Sequence, residues 1–185
     1  MFFMRIIAGM AKGTRLKMVS GTHVRPTADR VKESLFSVLG PFFEGGWALD
    51  LFAGTGALGL EALSRGMERA IFVDQSRTSL ETVRSNVKAC KMEDRVELYC
   101  KDARAVLKML KQRELRFQLI FLDPPYQKSL LLPVLKSIAT SDLLSEDGTV
   151  VAEHASREHP PETVGSLRSY RQLTYGDTTI TLYGT

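Results

Sequence analysis

Cysteine is almost absent from this 185-residue chain, with Cys90 and Cys100 its only two. They are spaced too widely for a C-x-x-C and are too few for a disulfide framework or an all-cysteine metal site, so both read as ordinary buried thiols. Histidine is equally sparse: His23, His154 and His159 fall in no metal-ligand spacing, and no metal is expected. Long hydrophobic runs are missing too. The longest stretches without a charge, Ser34 to Phe43 and Leu51 to Leu60, are about half the roughly 20 apolar residues a membrane-spanning helix needs, so no membrane span is expected. Met1-Phe2-Phe3-Met4 is followed at once by Arg5, which leaves no apolar core of a secretory signal, and a cytoplasmic location is expected. What is present is the composition of a folded domain: 44% hydrophobic, 25% charged, mean hydropathy -0.08. That excludes a disordered tail, and the length suits one α/β domain rather than a multidomain machine.

Charge is unevenly placed. The chain holds 25 basic and 21 acidic residues, and the whole excess lies in residues 1–46, where Arg5, Lys12, Arg15, Lys17, Arg25, Arg30 and Lys32 face only Asp29, Glu33 and Glu44. Such a segment suits contact with a polyanion, and it equally suits a solvated basic face. Charge alone does not separate the two.

Arg5 to Ala8 and Arg15 to Met18 read as short strands around a Gly9 to Gly13 turn, a small N-terminal hairpin. Pro26 holds the chain extended and Thr27 can cap a helix whose apolar positions are Val31, Leu35, Val38 and Leu39, closed by Gly40-Pro41. From Trp47 onward, short apolar runs alternate with amphipathic stretches. Strands are expected at Trp47 to Phe52, Ala70 to Val73, Val96 to Cys100, Leu119 to Leu122 and Thr149 to Ala152. Helices are expected near Ala57 to Arg65, Ser76 to Cys90, Ala103 to Lys111 and Leu130 to Ala139. This β-α alternation predicts a doubly wound, mainly parallel sheet covered on both faces. Leu167 to Tyr175 and Thr178 to Tyr183, joined by Gly176-Asp177, predict an antiparallel hairpin that brings the sheet to seven strands. His154 to Ser166, with Pro160-Pro161, reads as a linker within a single domain over residues 1–185, comprising a basic hairpin-plus-helix segment (1–46) and a core (47–185).

Three motifs carry chemistry. Asp50-Leu51-Phe52-Ala53-Gly54-Thr55-Gly56-Ala57-Leu58-Gly59 runs from a strand through a glycine-rich turn into a helix, whose N-terminus offers free N–H groups to a carboxylate or phosphate. With Asp74 twenty residues after Gly54, the pattern also satisfies a dinucleotide fingerprint, so it does not separate NAD from other nucleoside cofactors. Second, Asp50, Asp74, Asp102 and Asp123 fall at successive strand ends and should gather along the carboxyl edge, where open α/β sheets bind ligands. Asp74 suits a ribose diol and Asp102 an adenine amine, although Asp102 directly precedes a helix and is equally placed to cap it.

Third, Asp123-Pro124-Pro125-Tyr126 follows an apolar strand. Two prolines donate no backbone hydrogen bond and hold the chain extended, presenting a carboxylate, outward carbonyls and one aromatic ring. That set suits a planar amino-purine, whose exocyclic amine donates two hydrogen bonds and whose ring stacks on Tyr126. A proline-stiffened turn around a buried tyrosine is the alternative.

In order and spacing, Asp50 to Gly56, Asp74, Asp102 and Asp123-Pro124-Pro125-Tyr126 resemble the four motifs of class I methyltransferases that use S-adenosylmethionine (SAM). Arg5-Ile6-Ile7-Ala8-Gly9, Arg25-Pro26-Thr27 with Asp29-Arg30-Val31 and Leu35-Phe36, and Tyr175-Gly176-Asp177-Thr178 are similar to the RsmD family, which methylates the N2 amine of a guanine in small-subunit ribosomal RNA. The resemblance covers essentially the whole chain, with fewer arginines in the Ala11-Lys12-Gly13-Thr14-Arg15 turn than the family pattern has. It implies a Rossmann-like fold and SAM as cofactor. Ala53, Gly54 and Gly56 would cradle the methionine end, Asp50 would lie near its amino group, and Arg25-Pro26-Thr27 would close over it. Asp74 would hold the ribose, and Asp102 with the Ala103 backbone would read the adenine. Asp123, Pro124, Pro125 and Tyr126 would form the catalytic cluster. Lys12, Arg15, Lys17, Arg30 and Lys32 would contact phosphates of 16S rRNA in a small ribosomal subunit or its assembly intermediate, the protein acting as a monomer. A DNA adenine-N6 methyltransferase, an NAD-dependent oxidoreductase and a non-catalytic RNA-binding module are the rival readings.

Overall fold

A computed structural model describes residues 4–20, 29–125 and 129–185 of the chain. Strands β1 (Met4–Arg5) and β2 (Arg15–Leu16) pair antiparallel in a short ribbon, as the sequence predicts, and helix α1 (Asp29–Leu39) follows. The alternating part runs β3 (Trp47–Asp50), α2 (Ala57–Ser64), β4 (Arg69–Asp74), α3 (Arg77–Ala89), β5 (Val96–Cys100), α4 (Ala103–Gln112), β6 (Phe117–Leu122), α5 (Leu131–Ser141) and β7 (Leu144–Ala155). Three strands close the chain: β8 (Thr163–Val164), β9 (Leu167–Tyr175) and β10 (Thr178–Gly184).

The main sheet has the order β5-β4-β3-β6-β7-β10-β9-β8. Strands β3 to β7 are mutually parallel, and β10 lies antiparallel between β7 and β9. The seven-stranded Rossmann-like sheet is thus present, with one addition. Thr163 and Val164 lie in the stretch read as a linker, yet Val164 buries its side chain and pairs with Leu167 to add a two-residue edge strand.

Alternation along the strands explains why their sequences read as continuous apolar runs. Ala48, Ala70, Phe72, Leu119, Phe121 and Val151 pack beneath α1, α2 and α3. Leu49, Ile71, Val73, Ile120, Leu122, Val150 and Ala152 pack beneath α4 and α5. Both faces are covered, so the strand interiors are apolar on both sides, as in residues 70–73 and 119–122. Because β4 and β5 wind to one side of β3, and β6 and β7 to the other, the winding direction reverses between β3 and β6. A crevice opens at the carboxyl ends of these strands.

Two expectations fail for the same reason, a mistaken face. Lys32, read as a phosphate contact, is fully buried. Its Nζ donates to the Arg5 carbonyl at 2.5 Å and lies 3.6 Å from Glu61 Oε1, so it holds the fold together and is not available to a polyanion. Cys100, read as buried, is exposed because it is the last residue of the sheet's outer strand β5; Cys90 is buried as expected.

Candidate functional site

The glycine-rich turn forms where β3 meets α2. Gly54 and Gly56 adopt left-handed backbone angles, φ 56° and 81°, which a side chain would disfavour. Gly59 has a different role: a Cβ there would lie 2.4 Å from Cε1 of Phe72, so its absence lets α2 sit directly on β4. Asp74, at the end of β4, accepts hydrogen bonds from Gly54 N at 3.0 Å and from Ser76 N at 2.9 Å, and so fixes the turn. Asn86 on α3 donates to the Thr55 carbonyl at 2.8 Å and exchanges hydrogen bonds with the backbone of Lys17, tying the turn to the N-terminal segment.

Asp50 is buried, and Oδ2 accepts from Gly59 N at 3.3 Å. Burial pushes its carboxyl up to about 7, with Asp74 adding to the effect and the Gly59 amide opposing it. Asp102 does cap α4, with Oδ1 accepting from Arg104 N at 2.9 Å, while Oδ2 accepts from Gln75 Nε2 at 2.9 Å.

Beyond β6, Asp123 and the buried Pro124 stand at the crevice, and Pro125 is exposed. Asp123 is hydrogen-bonded to Glu153, carried on the neighbouring strand β7. Burial, the Glu153 carboxyl and the more distant Asp50 push Asp123 well above the usual carboxylate range; burial raises Glu153 too.

These places share one cavity of about 1140 Å³. It is lined by Asp50, Ala53, Gly54, Asp74, Asp102 and Ala103 together with Asp123, Pro124, Pro125 and Glu153. Its volume exceeds the roughly 300–1,000 Å³ of an ordinary small-molecule pocket, which leaves room for two ligands side by side. Gly56 lies behind the lining against Val83, Arg30 stands in the lining itself, and Lys12, Arg15 and Lys17 are exposed away from it. Arg25, Pro26, Thr27 and Tyr126 lie outside the described residues.

The donor set fits SAM. Asp50 is a buried carboxyl with one backbone donor, an arrangement completed by an ammonium group. Asp74 uses each oxygen once, and a carboxylate has about four lone-pair sites, which leaves capacity for hydroxyls. Sequence reasoning missed Glu153 and Asn86. Glu153 follows directly on the run Thr149 to Ala152, so the strand-end rule that found the four aspartates would have found it had it been applied to the fifth strand. Asn86 carries no comparable signal.

Among the described residues, no helix is long and apolar enough to cross a membrane, and no group of three or more His, Cys, Asp or Glu is placed to hold a metal ion. Comparison with known proteins yields a family model described as "Conserved hypothetical protein 95", which matches residues 4–184. The chain is 48% identical over 180 residues to "Putative rRNA methyltransferase YlbH" of Bacillus subtilis, covering 97% of this chain and 98% of that protein. It is 31% identical to "Ribosomal RNA small subunit methyltransferase D" of Haemophilus influenzae, covering 97% and 92%. A solved structure, "Putative methyltransferase yhhF from Escherichia coli", superposes with a TM-score of 0.83 at 26% identity, covering 98% of this chain and 97% of the other.

Proposed function

The chain belongs to the RsmD family of SAM-dependent methyltransferases, and from that premise we propose that it methylates the exocyclic N2 amine of a guanine in 16S rRNA, within a small ribosomal subunit or its assembly intermediate. One observation carries the reading: the acceptor cluster at Asp123-Pro124 opens into the same cavity as the glycine-rich turn. Asp50, Ala53 and Gly54 would hold the methionine end of SAM, with Gly56 shaping the turn behind them, Asp74 its ribose, and Asp102 with Ala103 its adenine. When bound, SAM supplies a methyl carbon made electrophilic by the sulfonium.

The guanine N2 lone pair is delocalised into the ring, so the amine is a poor nucleophile until it pyramidalises. Asp123 and the Pro124 carbonyl, each accepting one amine hydrogen, favour that change and stabilise the positive charge developing on nitrogen. They also aim the lone pair along the cavity. Arg30 in the lining and the exposed Lys12, Arg15 and Lys17 would take RNA phosphates, positioning the substrate without reading its bases.

Transfer of labelled methyl to small ribosomal subunits, free rRNA and duplex DNA tests the assignment. Label recovered as N2-methylguanine from rRNA is expected, with the subunit or its precursor as the best substrate. Label recovered as N6-methyladenine from DNA would overturn it.

A further inference from the structure

The chemistry proposed above gives Glu153 no task, although this side chain lines the cavity and is hydrogen-bonded to Asp123. The sheet enforces the contact. β6 and β7 run parallel with Leu122 opposite Ala152, so the residue following each emerges at the same height. Asp50 on β3 acts on Asp123 as a further charge, Arg30 on α1 and Asp177 at the β9–β10 turn line the cavity that the pair also lines, and Glu158 beyond the end of β7 lines a small pocket with Glu153. Neighbouring His154 turns its ring nitrogens to Thr181 Oγ1 and the Ala155 carbonyl instead. Two carboxyls this close do not both ionise freely, so over a range of pH they hold one proton between them.

We infer that Glu153 is the positioning residue of the acceptor, holding one oxygen of Asp123 in a shared-proton hydrogen bond so that the other is left for the substrate amine. The inference rests on the reading of Asp123 as the amine acceptor. It has consequences with and without substrate. Both carboxyls titrate higher in the folded chain than in the unfolded one, so the folded chain binds more protons. Their contribution to stability is fully present below the ordinary carboxylate range and is lost as pH rises through the folded values.

The experiment compares wild type with Glu153→Gln, which keeps the size and a hydrogen-bond donor but removes the second carboxyl. In the protein without ligands, the melting temperature of the variant should fall less steeply with rising pH than that of the wild type. With ribosomal substrate, the alkaline limb of kcat/KM, where the wild type loses the shared proton, should move to higher pH in the variant, whose amide keeps its hydrogen at every pH, so that at the alkaline foot of the profile the variant keeps a several-fold larger fraction of its own plateau. A purely structural role would lower the plateau and leave the limb in place. In the protein without ligands, the infrared carbonyl stretch of protonated carboxyl seen above the ordinary carboxylate range should lose the contribution of the pair in Glu153→Gln and keep that of Asp50. Identical melting slopes, an unmoved limb, or infrared spectra that do not differ between wild type and variant overturn the inference. Methyl transfer that survives Asp123→Ala would instead remove the amine-acceptor reading on which it rests.

Discussion

Asp50 and Asp123 stand at tips of neighbouring strands, and both titrate above the ordinary carboxylate range, yet they face different tasks. On the proposed reading Asp123 accepts a hydrogen bond in the transition state, so Asp123→Ala should reduce methyl transfer by about 10²-fold or more. Binding of S-adenosylhomocysteine, measured by calorimetry, should persist in that variant because the proposed cofactor contacts are made by Asp50, Ala53, Gly54, Asp74, Asp102 and Ala103 and not by Asp123. The proposed reading pairs Asp50 with the ammonium group of the cofactor. With its carboxyl at about 7, a proton competes with that ammonium, and S-adenosylhomocysteine affinity should weaken by about tenfold per pH unit below 7. Asp50→Asn should bind weakly and lose most of that pH dependence; a wild-type affinity flat from pH 5 to 8 would exclude the pairing. Both aspartates were legible because each directly follows or ends an apolar run. Their altered acidity was not, since it depends on Glu153 and on burial, which only the assembled sheet supplies.

At the scale of elements, the reading succeeded where periodicity is strong. β5 and β9 have the bounds that the sequence predicts, and α2, α3 and α4 agree to within a residue or two. β7 is far longer than Thr149 to Ala152, because its first residues pair beyond the apolar run, with Leu144 opposite Phe117. The fastening of the N-terminal ribbon was invisible, since it depends on charges buried between segments far apart in sequence. Glu61 on α2 accepts from Ile7 N at 2.9 Å and Ala8 N at 3.1 Å, and pairs with Arg65 at 2.9 Å and Lys32 at 3.6 Å. Glu61 and Lys32 are fully buried, and the Arg65 guanidinium also lies over the Phe36 ring. Burial lowers the Lys32 pKa, and Glu61 opposes that effect. Glu61→Gln would leave two buried cations without a carboxylate, and urea denaturation should show a loss of about 3–5 kcal/mol. Gly59→Ala drives a Cβ into Phe72 and should cost about 1–3 kcal/mol by the same measurement, with α2 displaced from β4.

For the whole molecule, the decisive quantity is how the basic excess of residues 1–46 is divided between surface and interior. Sequence counts charges but does not assign them to faces, which is why Lys32 was misplaced. In the folded chain Lys12, Arg15, Lys17 and Arg30 are exposed, while Lys32 is neutralised inside. A buried, neutralised cation releases no counterions from RNA, so these exposed residues, and not Lys32, should contribute to the salt dependence of binding. Each phosphate neutralised on single-stranded RNA contributes about 0.7 to the slope of log K against log salt, so replacing Lys12, Arg15 and Lys17 together by glutamine should lower the slope by about 2. Lys32→Met removes the same unit of formal charge from the same segment. Measured well below its melting temperature, it should leave the slope unchanged while reducing stability, because the lost partner belongs to Glu61 and not to a phosphate. Filter binding to small ribosomal subunits across a salt series separates the two outcomes. A slope that falls with Lys32→Met as it does with an exposed lysine would mean that the N-terminal segment opens on the particle and brings this cation out to the RNA.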